Sequence, residues 1–457
     1  MPKQLELAIL DESQVRSFQW RLLITAGMGF FTDAYDLFII GIVTALLMPI
    51  WHLTIVQLAI LNGASLVSAA GGAIFFGILS DKLGRKRMYG FEILILFIGA
   101  LLSAASISFT MLLIARAIVG FGIGGDYPSS AVIASESAGR KHRGFFVLLV
   151  FAMQAVGLMV GPLLASLLLL TKIPHELAWR LLLAFGAIPA AFVFYLRRRI
   201  QESPRYLLTQ SPVEVSRVIT DLASDNNDAT TKVAFKQQKL WSKKWLPLLI
   251  GTAGAWFFLD VAFYGNSISL MMILKNLDPS GHIVQHTLIS ALIFLICAVP
   301  GYFLAAAYVD RIGRKRLQFL GFAMMGLMYA LIALVPAVTH NIPLFLVIFG
   351  LSFFFVNFGP NTTTFLIPSE IYPANLRAKA HGISAAIGKL GAFAGAFALP
   401  FILHNYGASF ALGLMAFVCV AGFMTTFLVP EMAGVSVDST EVLIEPFPVI
   451  TRNNAIK

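Results

Sequence analysis

Long apolar stretches, separated by short polar breaks, run along almost the whole chain. Reading these windows against the breakers predicts twelve spans, near 20–47, 55–80, 88–108, 110–136, 144–170, 177–199, 244–272, 284–309, 316–337, 343–367, 378–404 and 406–430. A helix rises about 1.5 Å per residue, so each is long enough to cross most of a hydrocarbon core of about 30 Å. Two segments do not fit the pattern. Residues 200–243 are polar and span nothing, and 431–457 form a polar tail. The expected fold class is therefore an all-α membrane protein of twelve transmembrane helices. The expected organisation is a six-helix bundle over 1–199, a linker over 200–243, a second six-helix bundle over 244–430 and a tail over 431–457.

The breaks carry the charge, and they carry it unevenly. Of the 33 Lys and Arg residues, 28 lie at the chain ends or in loops after even-numbered spans. Loops after odd-numbered spans hold Lys172, Arg180 and Lys275, while Arg116 and Lys389 lie within spans. This asymmetry places both termini and the 200–243 segment in the cytoplasm, with the protein in the cell membrane. The runs at 85–87, 140–143 and 197–199 read as topology markers.

Composition agrees with the pattern. The chain is 58% hydrophobic and 12% charged, with a mean hydropathy of +0.82. The net charge of +10 could suit nucleic acid, but its placement at span ends argues against that partner. Cys297 and Cys419 sit in apolar segments and offer neither a disulfide framework nor zinc spacing, and no metal or cofactor is expected. The first residues include acidic ones and no compact apolar core, so no cleaved signal peptide is expected.

The chain also repeats. DKLGRKR at 81–87 answers to DRIGRKR at 310–316, and Ser135-Glu136 with Arg143 answers to Ser369-Glu370 with Arg377. An even number of spans separates the copies, so they share one orientation and are related by an axis along the membrane normal. A substrate would sit between them near mid-membrane.

Ionisable residues inside spans are the next signal, because each costs roughly 2.5–3.5 kcal/mol at the membrane centre. They are Asp33 and Asp36 in the first span, Arg116 and Asp126 in the fourth, Asp260 in the seventh and Lys389 in the eleventh. Glu92 is closer to a cytoplasmic end. Counting residues from the span ends puts Asp33, Asp126, Tyr127, Gln154, Asp260, Tyr264 and Lys389 at similar depth, as for one shared cavity. Asp33 and Asp36, three apart, share a helix face, and Trp256, Asp260 and Tyr264 form one stripe at i, i+4 and i+8. Gln154 and Lys389 are 235 residues apart, at equivalent places in the repeat. Four aspartates against two cations cannot all stay ionised in such a place, so at least one is expected to hold a proton. An anionic substrate would complete the balance. Arg116 is a buried charge to which the sequence gives no role.

The pattern Asp-(Arg/Lys)-x-Gly-Arg-(Arg/Lys), present in both halves, resembles the major facilitator superfamily. That resemblance implies two six-helix bundles related by a pseudo-two-fold axis, working by alternating access. It also implies a cytoplasmic gate at Asp81, Arg85, Asp310 and Arg314, with Glu136, Arg143, Glu370 and Arg377. FFTDAYDLF (30–38), GIGGDYP (122–128), FAMQAVG (151–157), ESPRY (202–206), WFFLDVAFY (256–264) and GKLGA (388–392) are similar to the phosphate:proton symporter family. The resemblance implies phosphate contacts at Tyr127, Gln154, Trp256, Asp260, Tyr264 and Lys389, with Asn361 a neighbour. It implies a proton route through Asp33, Asp36 and Asp126. Inorganic phosphate and protons are thus the expected partners, beside the lipid bilayer. The alternatives are carriage of another small anion (an organic acid or sulfate) or of a sugar in the same fold, or nutrient sensing without transport. An enzyme is not expected, since no nucleophile–base pair or metal cluster stands out.

Overall fold

The computed structural model describes residues 17–83, 85–138, 142–198, 240–373 and 376–435. The described chain begins and ends on one membrane face, where most of its basic residues lie; we call this the basic face. Helix α1 (Ser17–Ile50) leaves it, α2 (Ile55–Leu83) returns, and α3 (Arg85–Ala104), α4 (Phe109–Ser137) and α5 (Arg143–Leu170) follow. The sixth pass, α6 (His175–Arg197), has a joint at Gly186. In the second half α7 (Leu246–Ile268) runs on past Ser269 as a short segment, Leu270–Leu277. Helix α8 (Ile283–Ile312) contains a π-helical turn at Phe294–Ala298. Next come α9 (Arg314–Leu334) and α10 (Ile342–Ile371), the latter jointed at Gly359.

The last helical run, Arg377–Thr426, is 50 residues long and doubles back at Gly407. Its φ of +78° there is one that side-chain-bearing residues rarely adopt. The run is thus two passes, α11 (377–406) and α12 (408–426). Ten described stretches are long and apolar enough to cross a membrane. Counting the doubled run as two, and adding the shorter apolar stretch Met88–Ala104 of α3, gives the twelve expected passes.

Small residues decide how closely these helices approach, since lipid supplies no hydrophobic force between them. A Cβ on Gly120 or Gly124 of α4 would run into the carbonyl oxygens of Ser65 and Ala69 on α2. The two halves reuse one contact. Gly157 of α5 lies against the Phe31 carbonyl of α1, and Gly391 of α11 lies against the Phe257 carbonyl of α7. Between halves, α11 packs along α2 and α8 along α5.

On the basic face the halves are fastened by Asp310, at the end of α8. Its carboxylate accepts from the backbone N–H groups of Gly144 (3.1 Å) and Phe145 (2.8 Å), in the first turn of α5. The positive end of a helix dipole favours a carboxylate there. Arg314 bonds Asp310 at 2.7 Å and forks onto Glu370 through two bonds of 2.9 Å. Glu431 caps the start of α9 by accepting from the backbone of Arg314 (2.9 Å) and Lys315 (3.1 Å). Arg143 donates to the Val435 carbonyl, and Arg377 to that of Tyr372. Of the residues expected at the gate, Asp310, Arg314 and Glu370 thus form one network. The side chains of Asp81, Arg85 and Glu136 lie outside the described residues, as do positions 199–239 of the linker and 436–457 of the tail.

Valine at Gly124 should wedge α4 off α2 and cost about 1–3 kcal/mol, lowering the melting temperature of the detergent-solubilised protein. Alanine at Gly71, where a Cβ meets nothing within 4 Å, should be neutral or raise it slightly.

Candidate functional site

The stripe on α7 points at α11 and α4. Lys389 of α11 donates to the Tyr264 hydroxyl at 2.7 Å and to Asp260 Oδ2 at 3.3 Å. Its ammonium also lies 4.1 Å from the Tyr264 ring centroid and 4.3 Å from that of Tyr127. Two carboxylate or hydroxyl acceptors and two ring faces are what an ammonium needs in a site without water. Tyr127, from α4 of the other half, places its hydroxyl 3.2 Å from that of Tyr264. None of these residues exceeds 1% exposure. Asp260 Oδ1 makes no hydrogen bond, although the Trp256 indole is beside the carboxylate.

Aromatic rings enclose the cluster. Phe38 stacks on Tyr264 at 4.9 Å, on the side away from the basic face. On the other side Phe151 and Phe365, one from each half, stack at 4.3 Å. Trp256 lies 6.1 Å from Tyr127.

Gln154 and Asn361 are not bonded to Lys389. They meet at Tyr302 of α8, whose hydroxyl donates to Gln154 Oε1 at 2.9 Å and accepts from Asn361 at 2.6 Å. The Asn361 amide also donates to Asn357 at 2.7 Å. The sequence reading missed Tyr302. Its only signal was a tyrosine deep in an apolar span, just after Pro300-Gly301.

The aspartates of the first half lie in two further groups. Asp36 pairs with Arg116 at 3.6 Å, and Arg116 also donates to the Asp36 carbonyl at 2.5 Å. Arg116, left without a role by the sequence, therefore neutralises Asp36. Asp126 accepts from Ser130 at 2.5 Å and from Arg197 at 2.7 Å. Arg197 also reaches Glu92 at 3.3 Å and lies 3.9 Å over the Tyr89 ring. Asp33 is buried beside Asp126 and Arg197, and neither of its oxygens has a hydrogen bond.

One sequence reading needs correction. Arg197 belongs to a basic run read as a topology marker, yet it is 1% exposed and anchors Asp126. The buried carboxylates are therefore Asp33, Asp36, Glu92, Asp126, Asp260 and Glu370, and the buried cations Arg116, Arg143, Arg197, Arg314, Arg377 and Lys389. The two counts are equal, so number alone no longer calls for a bound proton; Asp33 is the one of these carboxylates with no cation at ion-pair distance among the described residues. His381 is wholly buried in α11 with its ring edge-on to Trp256 and Phe365, each at 5.4 Å.

Comparison with known proteins gives four findings. The family model for "Sugar (and other) transporter" matches residues 22–443. The probable inorganic phosphate transporter 1-6 of Arabidopsis thaliana is 34% identical over 96% of each chain. The inorganic phosphate transporter 1-6 of Oryza sativa subsp. japonica is 36% identical over 95% of each. Among solved structures, a major facilitator superfamily proton:xylose symporter bound to 6-bromo-6-deoxy-D-glucose superposes with a TM-score of 0.77. At 17% identity, over 94% of this chain and 99% of that one, the likeness is one of fold.

Removing one partner of a buried ion pair strands the other. Lys389→Met should cost about 3–5 kcal/mol, and Lys389→Met with Asp260→Leu should recover much of that loss. Melting temperatures of the two variants in detergent test this; equal losses would mean that the pair is not coupled.

Proposed function

The chain belongs to the sugar (and other) transporter family of the major facilitator superfamily, and from that membership we propose that it imports inorganic phosphate together with protons across the plasma membrane. Transport proceeds by alternating access, with phosphate bound at mid-membrane between the bundles and both termini in the cytoplasm. The observation that carries this reading is the Lys389–Asp260–Tyr264–Tyr127 cluster, buried where the two halves meet.

Phosphate brings several acceptor oxygens and, near neutral pH, at least one hydroxyl. Lys389, the two tyrosine hydroxyls and the Trp256 indole supply donors. Asp260 supplies an acceptor for the phosphate hydroxyl. Sulfate has no proton to give at this pH and would face Asp260 unpaired, so the site discriminates against it. Gln154, Asn361 and Tyr302 close the site from the α5, α8 and α10 side. In the closed arrangement the Tyr127 and Tyr264 hydroxyls occupy each other, and phosphate takes that position once the bundles part.

Protons enter through the first half. Asp33 is the buried carboxyl of this half with neither a hydrogen bond nor a cation at ion-pair distance among the described residues, and it holds the proton while Asp126 stays on Arg197 and Asp36 on Arg116. Opening of the Asp310 latch then frees the basic face for release.

Uptake of labelled phosphate into proteoliposomes with an imposed pH gradient tests the reading. Uptake should rise with external acid, be inhibited by arsenate and ignore equimolar sulfate. Losing a buried charge from the site is worth about 2–5 kcal/mol, so Lys389→Ala should lower uptake by roughly 30-fold or more. Intact uptake in that variant would refute the charge-balance argument. Asp33→Asn should keep phosphate counterflow yet lose acceleration by the pH gradient; if the gradient still accelerates it, Asp33 is not the proton carrier.

A further inference from the structure

A second space opens on the face opposite the basic one. It is a cavity of about 170 Å³ between the ends of α1 and α2 in one half and the end of α7 and start of α8 in the other. One water needs only about 10–15 Å³ by this measure, so a tetrahedral anion with some of its waters fits. The walls are largely apolar, and Asn62, Lys275 and His286 are the polar groups that matter.

Each of these has spare donor capacity. His286 is 3% exposed, lines the cavity, and its Nε2 makes no hydrogen bond; the nearest charge is Asp278 Oδ2 at 3.9 Å. Asn62 has its oxygen occupied by the Thr44 hydroxyl at 3.0 Å, which leaves its amide donors for the cavity. Lys275 adds a full charge on a face that is poor in cations. Arg180, also on that face, is spent on Glu176 at 2.8 Å and on the carbonyls of Ala104 and Ser106.

The cavity also leads somewhere. Its inner end is Gly41 and Ile268, where a Cβ on Gly41 would strike the Ile268 carbonyl. Ile268 is one turn from Tyr264, and Gly41 is nearly one turn from Phe38, which stacks on Tyr264. The Gly41–Ile268 contact and, one turn further in, the Phe38–Tyr264 stack separate the cavity from Lys389.

We propose that this cavity is an entrance site for phosphate, where Lys275, His286 and the Asn62 amide hold the anion before the Gly41–Ile268 layer parts. The proposal rests on the phosphate-import reading above. Asp278, beside His286, keeps binding weak, as suits a site that must pass its ligand inward.

The test is initial phosphate uptake by the full-length protein in proteoliposomes, against phosphate and salt concentration. A charge at the mouth of a path acts on capture more than on the later steps. Lys275→Gln with His286→Gln should raise KM about fivefold or more, leave maximal uptake within about twofold, and flatten the salt dependence of KM. Asn62→Asp should raise KM further still, and Lys275→Arg should behave as wild type. Lys275 is exposed, so Lys275→Gln alone, with an expected KM rise of about threefold, covers a failure of the double variant to fold. Unchanged KM and salt dependence in these variants, with wild-type uptake intact, would overturn the entrance site alone. A KM raised as much by Lys275→Arg would also overturn it. Absence of phosphate uptake by the wild-type protein would instead overturn the import reading on which it stands.

Discussion

A charge taken into the low-dielectric interior must bring its partner, and this requirement orders the centre of the molecule. Lys389 stands on Asp260 and Tyr264, Asp36 on Arg116, and Asp126 and Glu92 on Arg197. Every one of these ion pairs lies within a single half of the chain. α7 and α11 share the first, α1 and α4 the second, and α3, α4 and α6 the third. What crosses between halves inside the membrane is weaker: the Tyr127–Tyr264 hydroxyl pair, the Tyr302–Gln154 and Ser166–Thr287 bonds, stacked rings and the face of Tyr127 under Lys389.

The distribution has a mechanical consequence. Separating each of these neutral hydrogen bonds costs about 1 kcal/mol, and a water or a ligand oxygen can replace the lost bond. Breaking a buried ion pair would cost about 3–5 kcal/mol with no replacement at hand. The halves can therefore part at the centre while every charge keeps its partner. At the basic face charged groups do hydrogen-bond across: Arg143 donates to the Val435 carbonyl, and Asp310 holds the first turn of α5. That contact lies within reach of water and can be broken and remade, whereas the central pairs act as fixed parts of each half.

The sequence disclosed the passes because their signal is length and apolarity, which need no tertiary information. It disclosed Asp33, Asp126, Asp260 and Lys389 for a related reason: a charge in lipid is conspicuous whatever surrounds it. Arg197 escaped because it sits in a basic run at a span end, where the ordinary explanation, sidedness, is sufficient; only the helix's tilt into Asp126 and Glu92 distinguishes it from Arg198. Tyr302 escaped because a tyrosine in an apolar span is unremarkable until Gln154 and Asn361 converge on its hydroxyl. The partners of Asp310 in the other half were illegible in principle. They are backbone amides, and no residue type announces them. The joints at Gly186 and Gly359 were likewise hidden, because an apolar window reads straight across them.

The hydrogen-bond inventory of the central cluster bears on which ligand it suits. Lys389 donates to Tyr264, so the proton shared by Tyr264 and Tyr127 leaves one phenol donor without an acceptor in the cluster. Asp260 Oδ1 is in the opposite position, an acceptor without a donor. A spare donor and a spare acceptor cannot both be met by a simple anion, which only accepts, or by a cation, which only donates. A neutral polyol could meet both, but it would leave the charge of Lys389 balanced by Asp260 alone, as it already is, and would gain little from the cation. An oxyanion that still carries a hydroxyl satisfies all three: its oxygens take the phenol and the ammonium, and its proton goes to Asp260. On the proposed reading, the protonation of the ligand becomes part of its recognition.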